Sequence, residues 1–279
     1  MFRIYIIVNL TALLLVTQLS FPQGFRGLEH CDTSYTCNSS IDVKIFRAIN
    51  NVRNGFSNTV IPITDKSVLP VSVALPLGLM GISRIKDNYY DENSGVLLLL
   101  SEITSAGVTF GMKQIFKRER PFVTLSNVYH NKYNSPTDRY SFPSGHTATA
   151  FSMATSLTLR YPDKPAIIVI SYLYAAITGY GRMYLGVHYP SDILGGMLIG
   201  SGSAALIYSL RKEITDFKNS ILNEKNRPDI NSANQLSTPL ILGFTIGADL
   251  LDNLIQNAFP KRNIRIISSD SKLTAILNF

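Results

Sequence analysis

A chain of 279 residues with 46% hydrophobic and only 16% charged side chains can bury a full core, which excludes a disordered or low-complexity protein. Its formal charge of +7 comes from Lys and Arg residues that are scattered, apart from the run Lys113 to Arg120, so the basic stripe of a nucleic-acid binder is missing and no nucleic-acid partner is expected. The excess positive charge points instead to one anionic site or to a membrane surface.

Residues 1–24 read as an export signal: Arg3 supplies the positive end, Ile4 to Val16 the apolar stretch, and Ser20, Pro22 and Gly24 a cleavage region. The stretch is shorter than the ~20 residues of a spanning helix, and the alternative is an uncleaved anchor. Cys31 and Cys37 follow it, where an oxidising compartment would permit a disulfide. Residues 25–67 form a polar exported segment with a short helix around IDVKIFRAINNVRNGFSN. Five apolar runs come next: Val68 to Ser83, Gly95 to Met112, Thr147 to Leu159, Ala166 to Tyr180 and Ile193 to Ser209. None alternates with period two and all exceed the usual strand length, so they predict five helices and an all-α bundle over 68–212. Residues 213–279 read as a polar linker and a small extension, whose NIRIISSDSKLTAILNF predicts two short strands about a Ser-Ser-Asp-Ser turn.

The runs fit either a membrane-embedded bundle or a soluble one with helices buried all round. Parity favours the membrane. If the chain enters from outside, the ends at Lys113, His146, Arg182 and His188 all face the exported side, while Arg84, Lys86, Arg160, Lys164, Arg211 and Lys212 occupy the inner turns. An active site at one end of the bundle, exposed to the periplasm or the outside, is the resulting expectation.

Three polar clusters interrupt the apolar runs. Lys113 and Arg120 are two helical turns apart, so a helix continuing to Pro121 would align both cations on one face, able to hold one dianion. In PSGH, Ser144 and Gly145 stand at the start of the third helix, whose free N–H groups make an anion site, and His146 beside it is positioned to move a proton. In GRMYLGVHYPSD, Asp192 lies four residues after His188, close enough to fix its tautomer and leave the other ring nitrogen as a nucleophile. Arg182 adds a third cation. Lys117 and Arg118 read as an anion-attracting rim, Phe122 to Phe142 as a segment long enough to be a lid, and Glu102 either as a group with a role in the apolar run or as one paired within the bundle. A zinc site is poorly supported, because HExxH is absent and the cysteines are remote, and GxSxG is absent too.

KQIFKRERP, PSGH and GRMYLGVHYPSD resemble, in order and spacing, the three signature motifs of the type 2 phosphatidic acid phosphatase and vanadium haloperoxidase superfamily: KxxxxxxRP, PSGH and SRxxxxxHxxxD. The resemblance covers about residues 40 to 212, with Gly181 where the family usually has serine. It implies that Lys113, Arg120, Ser144, Gly145 and Arg182 bind phosphoryl oxygens and that His188 attacks phosphorus. Asp192 would orient His188, and His146 would protonate the leaving alkoxide. It implies no cofactor and no metal, and a lipid phosphate or diphosphate as substrate. The alternatives are a soluble exported acid phosphatase and a vanadium-dependent haloperoxidase.

Overall fold

The computed structural model describes residues 40–130, 138–224, 229, 263–269 and 272–278. The export signal, the Cys31 and Cys37 pair, most of the linker and the middle of the expected lid lie outside the described residues. Among the described residues, eight helices run in chain order: α1 Ile41–Asn50, α2 Gly55–Ile85, α3 Tyr89–Phe116, α4 Pro121–Thr124, α5 Gly145–Arg160, α6 Pro165–Tyr184, α7 Pro190–Ser209 and α8 Arg211–Ile221. The expected strands form an antiparallel hairpin of Asn263–Ser269 with Lys272–Asn278, in which Ile266 faces Ala275.

The five expected core helices are α2, α3, α5, α6 and α7, and α2, α3, α6 and α7 are long and apolar enough to cross a membrane. Their outward faces carry large apolar side chains. On α2, Leu69, Val73 and Leu77 are exposed at intervals of one turn, while Val68, Leu75 and Leu79 are buried. Water would oppose that arrangement and a bilayer stabilises it. The soluble alternative would have shown helices buried all round.

Two of these helices begin earlier than their apolar runs predict. Asn54 caps α2 by accepting a 2.7 Å hydrogen bond from the Ser57 N–H, and α2 then passes through Pro62 to carry Asn58, Ile61 and Asp65 to one end of the bundle. Its polar first half hid it in the sequence, although Ile61, Asp65 and Ser67 there are buried against the bundle. α3 likewise starts at Tyr89, capped by Asn88, with Asp91, Glu92, Asn93 and Ser94 buried in its first two turns.

Those acidic turns belong to a network at the opposite end of the bundle from PSGH. Arg160 ends α5 and holds both oxygens of Asp229 at 2.8 and 2.7 Å, while also donating to Ser94 Oγ at 2.8 Å. The Tyr161 hydroxyl donates to Asp91, and Lys218 donates to Glu92, each at 2.8 Å. Between the ends, Leu75, Leu79, Leu98, Met153, Leu157 and Tyr161 form the main core cluster.

Close contact between α5 and α7 depends on Gly196 and Gly200, a small-xxx-small pair. A Cβ on Gly196 would lie 2.6 Å from the Ser144 carbonyl oxygen, and one on Gly200 would lie 2.1 Å from that of Ala148. Backbone cannot yield cheaply there. Gly200→Ala is therefore expected to destabilise the protein by about 2 kcal/mol or more, the scale of core overpacking, read as a lowered Tm in detergent.

Candidate active site

α5 and α7 meet tightly at the end where their motifs lie, and the Ser144 N–H donates to the Asp192 carbonyl at 3.0 Å. The second and third motifs are thereby one rigid unit. The first joins it through Arg118 to Arg120, which follow α3. The helix does not continue to Pro121 as expected: it ends at Phe116, with Lys117 in the left-handed region at φ 47°. Lys113 and Arg120 therefore do not share a helical face. Arg120 instead precedes the short α4 and turns inward, only 2% exposed.

Six of the eight expected site residues line one cavity of about 300 Å³: Lys113, Arg120, Gly145, His146, Arg182 and His188. The other two lie just behind it. Ser144 is fully buried, and its hydroxyl accepts from Thr147 Oγ1 at 2.9 Å. Its N–H is already given to Asp192, so Gly145 is the residue of that pair that faces the cavity. Asp192, also fully buried, accepts from the Tyr189 N–H at 2.8 Å and stands 3.4 Å from His188 Nδ1. Nδ1 carrying the proton toward Asp192 leaves the Nε2 lone pair in the cavity, where Arg120 Nη1 donates to it at 3.1 Å. Burial, and then the Arg120, Arg182 and Lys113 charges, hold the His188 imidazole well below its ordinary pKa, so it is neutral.

Several residues here escaped the sequence. Asp65 on α2 accepts from Arg182 Nη1 at 2.5 Å, both side chains being buried, and aims the guanidinium. Arg118 is no rim. It donates to Asp192 Oδ1 at 2.8 Å, to Ser191 Oγ at 2.6 Å and to Asp42 Oδ2 at 2.6 Å, so α1 buttresses the carboxylate behind His188. The buried Asn50, at the other end of α1, donates to the Tyr184 carbonyl at 3.0 Å and thus fastens the turn between Arg182 and His188. That turn passes through Gly186 at φ +79°, where a Cβ would also meet the Tyr129 carbonyl at 2.2 Å. The short helix of the polar segment is therefore scaffold for the site.

Asp138 was missed as well. Its carboxylate bridges Lys113 Nζ, at 3.0 Å, and Arg120 Nη2. Burial works upward on that carboxyl, but the two cations outweigh it and hold its pKa below the usual range. Among the described residues, Glu102 lacks the expected ion pair: it is buried on α3 and neither carboxylate oxygen has a hydrogen-bond partner there. Gly181, the departure from the serine of the motif, packs where a Cβ would be 2.9 Å from Ile61 Cγ2, so the position of α2 leaves no room for the usual side chain.

Residues 94–216 match the family model described as PAP2 superfamily. An undecaprenyl-diphosphatase of Sulfolobus acidocaldarius is 34% identical over 107 residues, 38% of this chain and 50% of the relative. A lipid A 4'-phosphatase of Bacteroides thetaiotaomicron is 36% identical over 76 residues, 27% of this chain and 33% of the relative. The chain thus spans half the length of the first relative and a third of the second. A transmembrane PAP2 type phosphatidylglycerolphosphate phosphatase of Bacillus subtilis shares the fold, with a TM-score of 0.55, 23% identity, and coverage of 75% of this chain and 96% of that structure.

Proposed function

We propose that the chain, whose residues 94–216 match the PAP2 superfamily model, is a phosphatase of that superfamily that hydrolyses the terminal phosphate of a membrane lipid phosphate or diphosphate through a phosphohistidine. The observation that carries this reading is one cavity lined by three cations and two imidazoles, with a carboxylate 3.4 Å from Nδ1 of one imidazole. Lys113, Arg120, Arg182 and the Gly145 N–H take the phosphoryl oxygens. The first N–H groups of α5 have no acceptor within the helix, so they favour an anion there. As Arg120 Nη1 passes from His188 Nε2 to a phosphoryl oxygen, Nε2 gives its lone pair to phosphorus and the bond from phosphorus to the lipid oxygen breaks; His146, its pKa pushed down to about 4 in the empty site by burial and the Arg182 charge, takes up a proton as the phosphate dianion binds and supplies it to that oxygen. Asp192 accepts from Nδ1–H and stabilises the imidazole as it becomes cationic. Water, losing a proton to His146, then attacks the phosphohistidine, releasing inorganic phosphate and free His188. Charge neutralisation by preorganised cations is the main rate-raising device in such a scheme.

The membrane-crossing helices with apolar outer faces support a lipid leaving group, and the relatives' undecaprenyl diphosphate and lipid A activities suggest the first compounds to try. By parity of the helices the cavity opens on the exported side. The test is phosphate release by purified protein across lipid and soluble phosphates, with vanadate as inhibitor. Vanadate-sensitive release from a lipid is expected, and none from any compound would reject the assignment. The same assay sets a pH expectation. His188 must be neutral to attack, and its pKa in the free protein is depressed, so the acid limb of kcat/KM should lie below the ~6.5 of an ordinary imidazole. A limb at or above that value would contradict the neutral nucleophile.

A further inference from the structure

A carboxylate in an anion site is out of place unless it does something there. Asp138 lines the cavity beside Lys113, Arg120, His146, Arg182 and His188. Arg182 already has Asp65 as its counter-ion, whereas Lys113 and Arg120 both direct their charge to Asp138. Those two cations are 8% and 2% exposed in their side chains, against 58% for Asp138, so the carboxylate covers them from the solvent side. The segment that carries it has other fastenings: the Asp138 carbonyl accepts from Arg120 Nε and the Tyr140 carbonyl from Lys113 Nζ, each at 2.8 Å. The carboxylate can leave while the backbone stays.

We propose that Asp138 is a resident counter-anion that every ligand must displace from the cradle, weakening all anions alike so that singly charged phosphodiesters, which gain nothing by the exchange, no longer occupy the site. The inference rests on the phosphate reading of the cavity. Buried Lys113 and Arg120 cannot stand unpaired at low cost, so the empty site needs one negative charge. A phosphodiester brings one charge and displaces one, with no electrostatic gain. A phosphate monoester or terminal diphosphate brings up to two, and the second is the gain. In a bilayer whose own headgroups are phosphodiesters at vast excess, an uncovered pair of cations would be occupied by lipids that the site cannot hydrolyse.

The experiment compares the wild type with Asp138→Asn and Asp138→Ala in a phosphate-free maltoside detergent, using inorganic phosphate and diethyl phosphate as competitive inhibitors. Both inhibition constants are expected to fall roughly ten-fold in the variants, the scale of a partly exposed ion-pair competitor. Phosphatidylglycerol added to the micelles should then slow the variants and leave the wild type unchanged. Constants that stay equal or rise would make Asp138 a scaffold residue and overturn the proposal. Failure of the phosphate reading has a different signature: wild-type protein that neither binds inorganic phosphate nor loses activity on His188→Ala.

Discussion

Replacing His188 by alanine should lower phosphate release by on the order of 10⁴-fold or more, because the covalent route closes and only binding and charge stabilisation remain. The imidazole is 1% exposed, with Asp192 behind it and Arg120 in front, so neither water nor a neighbouring side chain can take its place at that point in the cavity. Lys113, Arg120 and Arg182 are untouched by the substitution, and vanadate should still bind and raise the Tm. That separates lost chemistry from lost folding. The intermediate itself can be sought directly: wild-type protein quenched in base during turnover of a labelled substrate should carry acid-labile phosphate, and His188→Ala should carry none. A variant that keeps more than a hundredth of the rate would show that another group is the nucleophile.

Arg182→Ala should be the next most damaging change, and on two counts. It removes one of three fixed charges from the cradle, expected to cost ~10² to 10³ in kcat/KM. It also strips the buried Asp65 of its guanidinium, and breaking a buried pair from one side typically destabilises by about 3–5 kcal/mol. Asp65→Asn keeps the cation and an amide partner, so its rate loss should be far smaller than that of Arg182→Ala. In a double-mutant cycle the stability losses should be strongly non-additive, Arg182→Ala with Asp65→Ala being less unstable than the sum of the two. Additive losses would mean that Asp65 does not hold Arg182 in solution.

The sequence was most legible where chemistry confines residue types to helix ends. Lys113, His146, Arg182 and His188 could be assigned to one end of five helices because apolar runs of similar length alternate in direction, and the cavity does collect them. The strands at 263–269 and 272–278 were legible too, from β-branched residues flanking a polar turn. Counter-ions were not. Asp65 pairs with a residue 117 positions away, and Asp42 with one 76 positions away, distances at which spacing carries no information. Arg118 was misjudged because Lys117 leaves the helix in a left-handed turn, sending the next side chain back toward Asp192 and not out to the rim. The glycines Gly196 and Gly200 were visible as letters, but only the closeness of the Ser144 and Ala148 carbonyls reveals that they join two motifs.

Arg160 and Asp229 have one more implication. α5 runs from Gly145 beside the cavity to Arg160, about 24 Å at 1.5 Å per residue, which approaches the thickness of a bilayer's hydrocarbon. With Asp229 fastened there, the chain leaving α8 is moored on the far side from the departing phosphate. A biotin or fluorophore introduced next to Asp229 should consequently report one compartment while the reaction product accumulates in the other.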